Sequence, residues 1–245
     1  MTKKNRSGGL WDTVKTLVYA VLIALFIRTF GYEPFNIPSG SMVPSLLVGD
    51  YLFVSKYSYG YSRYSLPLSL PLIPGRIFGS VPERGDVAVF KLPKDNKTDY
   101  IKRIIGLPGD RIQVLNGRLI INDKIVPRQS IRPYKVRGVL GSIGSVAQYE
   151  EMLPDGHKHL IIEKGDNLWL DNTPIYTVPP GYVFAMGDNR DDSQDSRVLR
   201  EVGYIPLENL VGRAEFLFFS HDPDPIGDKS WPITVRWSRI FQGIK

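Results

Sequence analysis

Apolar residues follow two regimes along this chain. From Leu17 to Ile27 they run unbroken for eleven positions, LVYAVLIALFI, whereas beyond Gly31 they come in runs of four to eight residues separated by turn residues. Extended to Leu10–Phe30 the first run has 21 residues, about 30 Å as an α-helix at ~1.5 Å per residue, which matches the hydrocarbon thickness of a bilayer. Asp12, Lys15 and Arg28 lie near enough to its ends to reach headgroups, and Trp11 and Tyr32 suit interfacial positions. The following residues, Arg28, Thr29, Phe30, Gly31, Tyr32 and Glu33, contain no small-x-small cleavage pattern. An uncleaved transmembrane anchor over 10–30 is therefore expected, rather than a removed signal peptide. Lys3, Lys4, Arg6 and Lys15 precede or open the run, and only Arg28 follows it before Lys56. That asymmetry places residues 1–9 in the cytoplasm and the remaining ~215 residues on the far side of the membrane.

The second regime predicts short strands at 51–54, 86–91, 100–105, 111–115, 118–121, 158–163, 182–186 and 213–220, each rich in Val, Ile, Phe or Tyr. Breakers bound them: Pro108-Gly-Asp110, Pro179-Pro-Gly181, and Asn116-Gly117, a two-residue hairpin signal. Between Ser58 and Pro82 the pattern changes to tyrosines followed by Leu66, Leu68, Leu70 and Leu72 alternating with Ser or Pro. This period of two predicts an extended ribbon with one apolar face, folded onto the core or turned toward lipid or substrate. The polar, Gly-rich middle of the chain reads as an inserted subdomain, and 23 Gly with 19 Pro suit a mainly β protein.

Composition narrows the chemistry. The 245 residues include no Cys, which excludes disulfides, thiolate metal sites and cysteine nucleophiles. A net charge of +6, scattered along the chain, forms no nucleic-acid footprint. His157, His159 and His221 adjoin no serine-hydrolase motif and read as surface residues. The cluster from Asp188 to Asp195 resembles a calcium loop only superficially, because Arg190 and Ser193 occupy positions where a ligand and a glycine are needed. No metal or cofactor is expected.

Two segments remain, Ile37-Pro-Ser-Gly-Ser-Met-Val-Pro44 and Tyr100-Ile-Lys-Arg-Ile-Ile105. The first reads as an ordinary turn unless its serine has a base. With no histidine at hand, a neutral lysine can serve, and Lys102 stands among Ile101, Ile104 and Ile105. A lysine of pKa ~10.4 is almost wholly protonated at pH 7; burial that lowers it by ~2–3 units makes the amine a usable general base.

IPSGSMVP, YIKRIIGLPGD and GDNRDDSQDSR, in this order after an N-terminal anchor, resemble the three sequence boxes of bacterial type I signal peptidases. The resemblance implies a nucleophile at Ser41 and a general base at Lys102. It also implies an oxyanion hole from the Ser39 hydroxyl and the Ser41 amide, and a lysine-orienting hydroxyl at Ser193. Asp188, Arg190, Asp195 and Arg197 correspond to structural ion-pair residues. Phe35, Ile37, Pro38, Met42, Leu46 and Ile101 match positions lining pockets for small side chains at −1 and −3 of exported preproteins. This chain has Asp191-Asp192 where the common pattern has Asp-Asn before the serine. The implied fold is a catalytic core of antiparallel β-sheets over 31–112 and 180–245, with a β cap over 113–179, tethered by one helix to the bacterial inner membrane. Ser41 lies fourteen residues beyond Ile27, a spacing that keeps the nucleophile near the bilayer. Two other readings stay open: a related serine-lysine maturation peptidase with one dedicated substrate, and a non-enzymatic envelope domain that binds extended peptides.

Overall fold

The computed structural model describes residues 9–137, 143–223 and 234–244; Lys3, Lys4 and Arg6, on which the orientation of the anchor rests, lie outside them. Helix α1 spans Gly9–Phe30. Its mean hydropathy reaches 1.8 over an unburied stretch, so it is long and apolar enough to cross a membrane. The end of α1 is fastened to the rest of the chain. The Tyr61 hydroxyl donates to the Phe30 carbonyl at 2.9 Å and the two rings meet edge-on, which satisfies one of the carbonyls a helix leaves open. The Gly31 carbonyl accepts from the Lys56 amide at 2.9 Å.

The remainder is mainly β. Strands β1 (Tyr32–Asn36) and β2 (Asp50–Ser55) flank the serine-bearing turn. β3 (Tyr61–Ser62) and β4 (Arg76–Ile77) form a two-residue pair, and β5 (Val87–Lys91) and β6 (Asp99–Gly106) a longer hairpin. Then come β7 (Arg111–Leu115), β8 (Arg118–Ile121), β9 (Lys124–Ile125), β10 (Arg128–Ser130), β11 (Tyr134–Arg137), β12 (Ile143–Met152) and β13 (Lys158–Glu163). The chain closes with β14 (Tyr176–Thr177), β15 (Tyr182–Met186), β16 (Ile205–Pro206), β17 (Leu210–Asp222) and β18 (Thr234–Val235). The expected strands are present, and β7, β8, β13 and β15 match their expected bounds. Asn116 and Gly117 both have positive φ, 48° and 68°, as a type I′ hairpin between β7 and β8 requires.

One antiparallel sheet runs β1-β2-β17-β5-β6-β15-β16, with β18 added to β17. β17 pairs with β2, β5 and β18, and its register shifts near Leu210, Ala214 and Leu217 are bulges that let a single long strand curl the sheet. β5 is buried on both faces: Val87 and Val89 pack with Ile37, Leu52, Val54 and Leu217, while Ala88 and Phe90 pack with Ile104, Val183 and Ile205. This two-faced burial fixes β6 beside it, with Lys102 opposite Ala88. Two further sheets, β14-β7-β8-β9 and β10-β12-β11 with β13 on β12, come from the middle of the chain.

The ribbon expected over 58–82 is not extended. Three 3-10 turns occupy Tyr57–Tyr59, Arg63–Ser65 and Pro67–Ser69, and only the short β3–β4 pair is strand. Pro67 and Pro71 lack backbone donors, and Leu68 and Ser69 adopt positive φ, so the leucines lose their common face. Leu68 and Leu72 are exposed.

Asp50, fully buried at the start of β2, ties the segment after the serine turn to the C-terminal region. It accepts from Leu47 N–H (2.7 Å), Ser220 Oγ (2.6 Å) and Arg239 Nε and Nη2 (3.0 and 2.6 Å). Replacing it with Ala leaves these donors unmatched; the expected cost is about 3–5 kcal/mol, read as a lowered midpoint in denaturant unfolding of the detergent-solubilised protein. An unchanged midpoint would refute this role.

Candidate active site

β1 ends by burying Ile37, and the chain then turns through Pro38, Ser39 and a 3-10 turn over Gly40–Met42. Met42 and Leu46 are completely buried in the core cluster that includes Ile37. They therefore act as anchors that hold the turn down, with Ser41 nearly buried between them and β6. The turn is also gripped from outside. Asn189 donates from its amide to the Ser41 carbonyl at 3.1 Å and from Nδ2 to the Gly40 carbonyl at 3.0 Å. Gly187 leaves no room for a side chain, because a Cβ there would stand 2.5 Å from the Ser41 carbonyl oxygen and 2.2 Å from Ser193 Oγ.

On β6 the Lys102 side chain is 3% exposed, and its Nζ donates to Ser41 Oγ at 2.6 Å and to the Ile101 carbonyl at 2.9 Å. The Tyr100 ring lies 5.3 Å from the same nitrogen. Burial pulls the amine down from an ordinary 10.5 to about 8, against the opposing attraction of Asp195 and Asp188. Ser39 Oγ is 3.5 Å from Ser41 Oγ. Ser193 is buried nearby, against the Gly187 position, but its Oγ has no hydrogen-bond partner among the described residues. No hydrogen bond joins Ser193 Oγ to the Lys102 amine in this arrangement.

Asp188, Arg190, Asp195 and Arg197 of the third motif are buried and paired, though only two of the four pair with one another. Arg103, fully buried, binds Asp188 in a fork, Nε to Oδ1 at 2.8 Å and Nη2 to Oδ2 at 2.7 Å, and Ser45 Oγ donates to Asp188 at 2.5 Å. Arg190 pairs with Glu151 of β12, Nη1 to Oε1 at 3.1 Å. Only Asp195 and Arg197 pair within the set, at 2.9 Å for both bonds, and Asp195 also accepts the Gly187 amide at 3.0 Å. Despite burial, the facing guanidinium groups hold the carboxyls of Asp188, Asp195 and Glu151 below the usual range. Arg103, Glu151, Gly187 and Asn189 were not singled out from sequence. Arg103 is a charge in the middle of a strand rich in isoleucine, and Gly187 and Asn189 lie inside the third motif, so a signal existed for three of the four.

The histidines differ from expectation. His159 is buried, with Nε2 3.4 Å from Glu151 Oε2, and burial together with Arg103 lowers its pKa. His157 is half-buried against Arg103, and His221 packs edge-on to Tyr51. β12 and β13 carry polar residues inward to meet the arginines, a pairing that local polarity conceals.

A cleft of about 780 Å³ opens over Ser41 and Lys102, between the end of β1 and the start of β6. Phe35, Ile37, Pro38 and Ile101 line it, joined by Val89. Met42 and Leu46 do not, since both are spent on the core.

A family model described as "Signal peptidase, peptidase S26" matches residues 10–219. Signal peptidase I of Rickettsia typhi is 40% identical over 99% of this chain and 96% of its own length. That of Rickettsia conorii is 38% identical over the same shares. A solved signal peptidase I from Enterococcus faecalis aligns with 54% of this chain and 95% of its own at 23% identity and a TM-score of 0.31, too loose a likeness to bear on fold or function. With the family model matching most of the chain and relatives aligning along nearly its whole length, the chain belongs to the signal peptidase family of peptidases.

Proposed function

We propose that this protein is a membrane-bound serine endopeptidase that removes N-terminal signal peptides from exported preproteins, with Ser41 as nucleophile and neutral Lys102 as general base. The observation that carries the reading is the 2.6 Å contact between a buried amine and a serine oxygen at the floor of an open cleft. Lys102 Nζ takes the Ser41 proton as Oγ attacks the scissile carbonyl, and the negative charge moves to the carbonyl oxygen. The Ser41 amide and the Ser39 hydroxyl receive that oxyanion. The tetrahedral intermediate collapses, the C–N bond breaks, and the ammonium of Lys102 returns its proton to the leaving amine. Water, deprotonated by the same amine, then attacks the Ser41 ester and frees the acid.

β1 supports binding of the substrate as an extended strand. It is an edge strand of its sheet, and Ile37 bonds back to Asp50. Alternation then leaves backbone groups of Tyr32, Pro34 and Asn36 at the open edge. The apolar walls at Ile37, Phe35 and Ile101 favour small side chains at −1 and −3 by size. We read α1 as a single-pass anchor in the bacterial inner membrane, its N-terminus cytoplasmic because Lys3, Lys4, Arg6 and Lys15 precede the apolar run. The core over 31–112 and 180–245 then lies on the periplasmic or extracellular side, with 113–179 as its cap.

Ser41→Ala and Lys102→Met are each expected to reduce cleavage of a precursor with Ala at −1 by at least ~10³-fold while leaving the unfolding midpoint near wild type. Retained cleavage in either variant refutes the dyad. Because the base must be unprotonated, kcat/KM should rise about tenfold per pH unit below a pKa of about 8 and level off above it; a flat profile from pH 5 to 8 would count against Lys102. Asn189→Ala, which frees the Ser41 and Gly40 carbonyls, is expected to lower kcat by ~10–100-fold with KM little changed. An unchanged kcat would show that the clamp is dispensable.

A further inference from the structure

Side chains alternate along a strand, so Ile37, Phe35 and Glu33 stand on one face of β1 at steps of about 6.6 Å. β1 runs from the end of α1 toward Ser41. A preprotein leaving the membrane parallel to it would set its −1 side chain at the level of Ile37, −3 at Phe35 and −5 at Glu33. At the level of Glu33 there is a second cleft of about 260 Å³, which meets the first at Phe35 and Asp99.

This second cleft differs in kind from the apolar walls above Ser41. Three cations line it, Arg28, Lys56 and Lys91, against two carboxylates, Glu33 and Asp99. Arg28 and Lys56 share Glu33, at 2.6 and 2.8 Å, and Lys91 binds Asp99 at 2.8 Å. Lys56 is 2% exposed, and its Nζ also donates to the Ser65 carbonyl at 2.9 Å. Those bonds use two of the three protons on an ammonium. Burial lowers its pKa even beside Glu33, so this charge gains from any further acceptor.

We propose that the cleft formed by Arg28, Glu33, Lys56 and Lys91 is a −5 subsite that selects preprotein side chains bearing an acceptor oxygen (Asp, Glu, Asn or Gln) over Lys or Arg. The inference rests on the signal-peptidase reading. An oxygen there accepts from three cations that now share two carboxylates, whereas a basic side chain adds a fourth positive charge against those two negative ones.

The test uses the full chain in detergent and precursors that share Ala at −1 and −3 and differ only at −5: Glu, Gln or Lys. Wild type is expected to cleave the Glu and Gln precursors with kcat/KM about tenfold above the Lys precursor, and the double variant Arg28→Gln/Lys91→Gln to narrow that ratio at least threefold. A wild-type ratio below twofold, or one the double variant leaves unchanged, overturns the subsite while leaving the peptidase reading intact. Failure to cleave any of the precursors overturns both. A flat ratio accompanied by an equal fall in KM for all precursors when phosphatidylglycerol is added to the micelles would make the cleft a headgroup site and also overturn the proposal.

Discussion

The amine of Lys102 stands 2.6 Å from Ser41 Oγ while almost out of reach of water, and most of the fold around it can be understood as maintaining that condition. Desolvation alone favours the neutral form, yet Asp188 and Asp195 pull the other way. Two bare buried carboxylates would hold the ammonium charged. Each is matched by a guanidinium, Arg103 on Asp188 and Arg197 on Asp195, at 2.7–2.9 Å. The ion pairs thereby limit the field at the amine, in addition to tying loops together. Buried pairs of this kind add little net stability, and their placement around one lysine makes electrostatic sense of where they occur.

The network also couples parts of the chain that are distant in sequence. Arg103 follows Lys102 on β6, and its partner Asp188 accepts from Ser45, just after the serine turn. Glu151 on β12 holds Arg190, whose carbonyl accepts from Arg197. A series of ion pairs and hydrogen bonds therefore links the strands from the middle of the chain to Asp195, whose charge acts on the amine without touching it. At the opposite edge, α1 is fastened through Phe30 and Gly31 to Tyr61 and Lys56, and β1 begins at once. The geometry leaves a short path from the end of the helix to Ser41.

Much of the sheet was legible because strands with one buried face alternate and strands with two are continuously apolar; β7, β8, β13 and β15 match to the residue. Ser41 and Lys102 were legible for a different reason, as members of motifs, since no periodicity links residues 61 positions apart. What escaped has physical causes. Met42 and Leu46 are apolar residues beside a cleft and above a core, and sequence does not say which of the two claims them; the core does. Glu151 and His159 sit on strands whose polarity suggests solvent, yet they turn inward because Arg190 and Arg103 are already buried there. The Leu66–Leu72 alternation lost its meaning to Pro67 and Pro71, two of the three residues that separate the leucines.

The position of Ser41 is consequently not a property of its own turn. Pro38, Ser39 and Gly40 make a flexible connection, and a serine in such a turn explores several orientations unless something outside selects one. Selection comes from below through Met42 and Leu46, and from the side through the backbone and side-chain amides of Asn189. The absence of a Cβ at Gly187 lets the third motif approach the Ser41 carbonyl closely enough to make those bonds. Lys102 is fixed independently, by a strand wedged between β5 and β15. Two rigid supports therefore meet at the one hydrogen bond between Lys102 and Ser41 and fix its geometry from both sides. The three motifs must therefore converge in space although they are spread over some 160 residues of sequence.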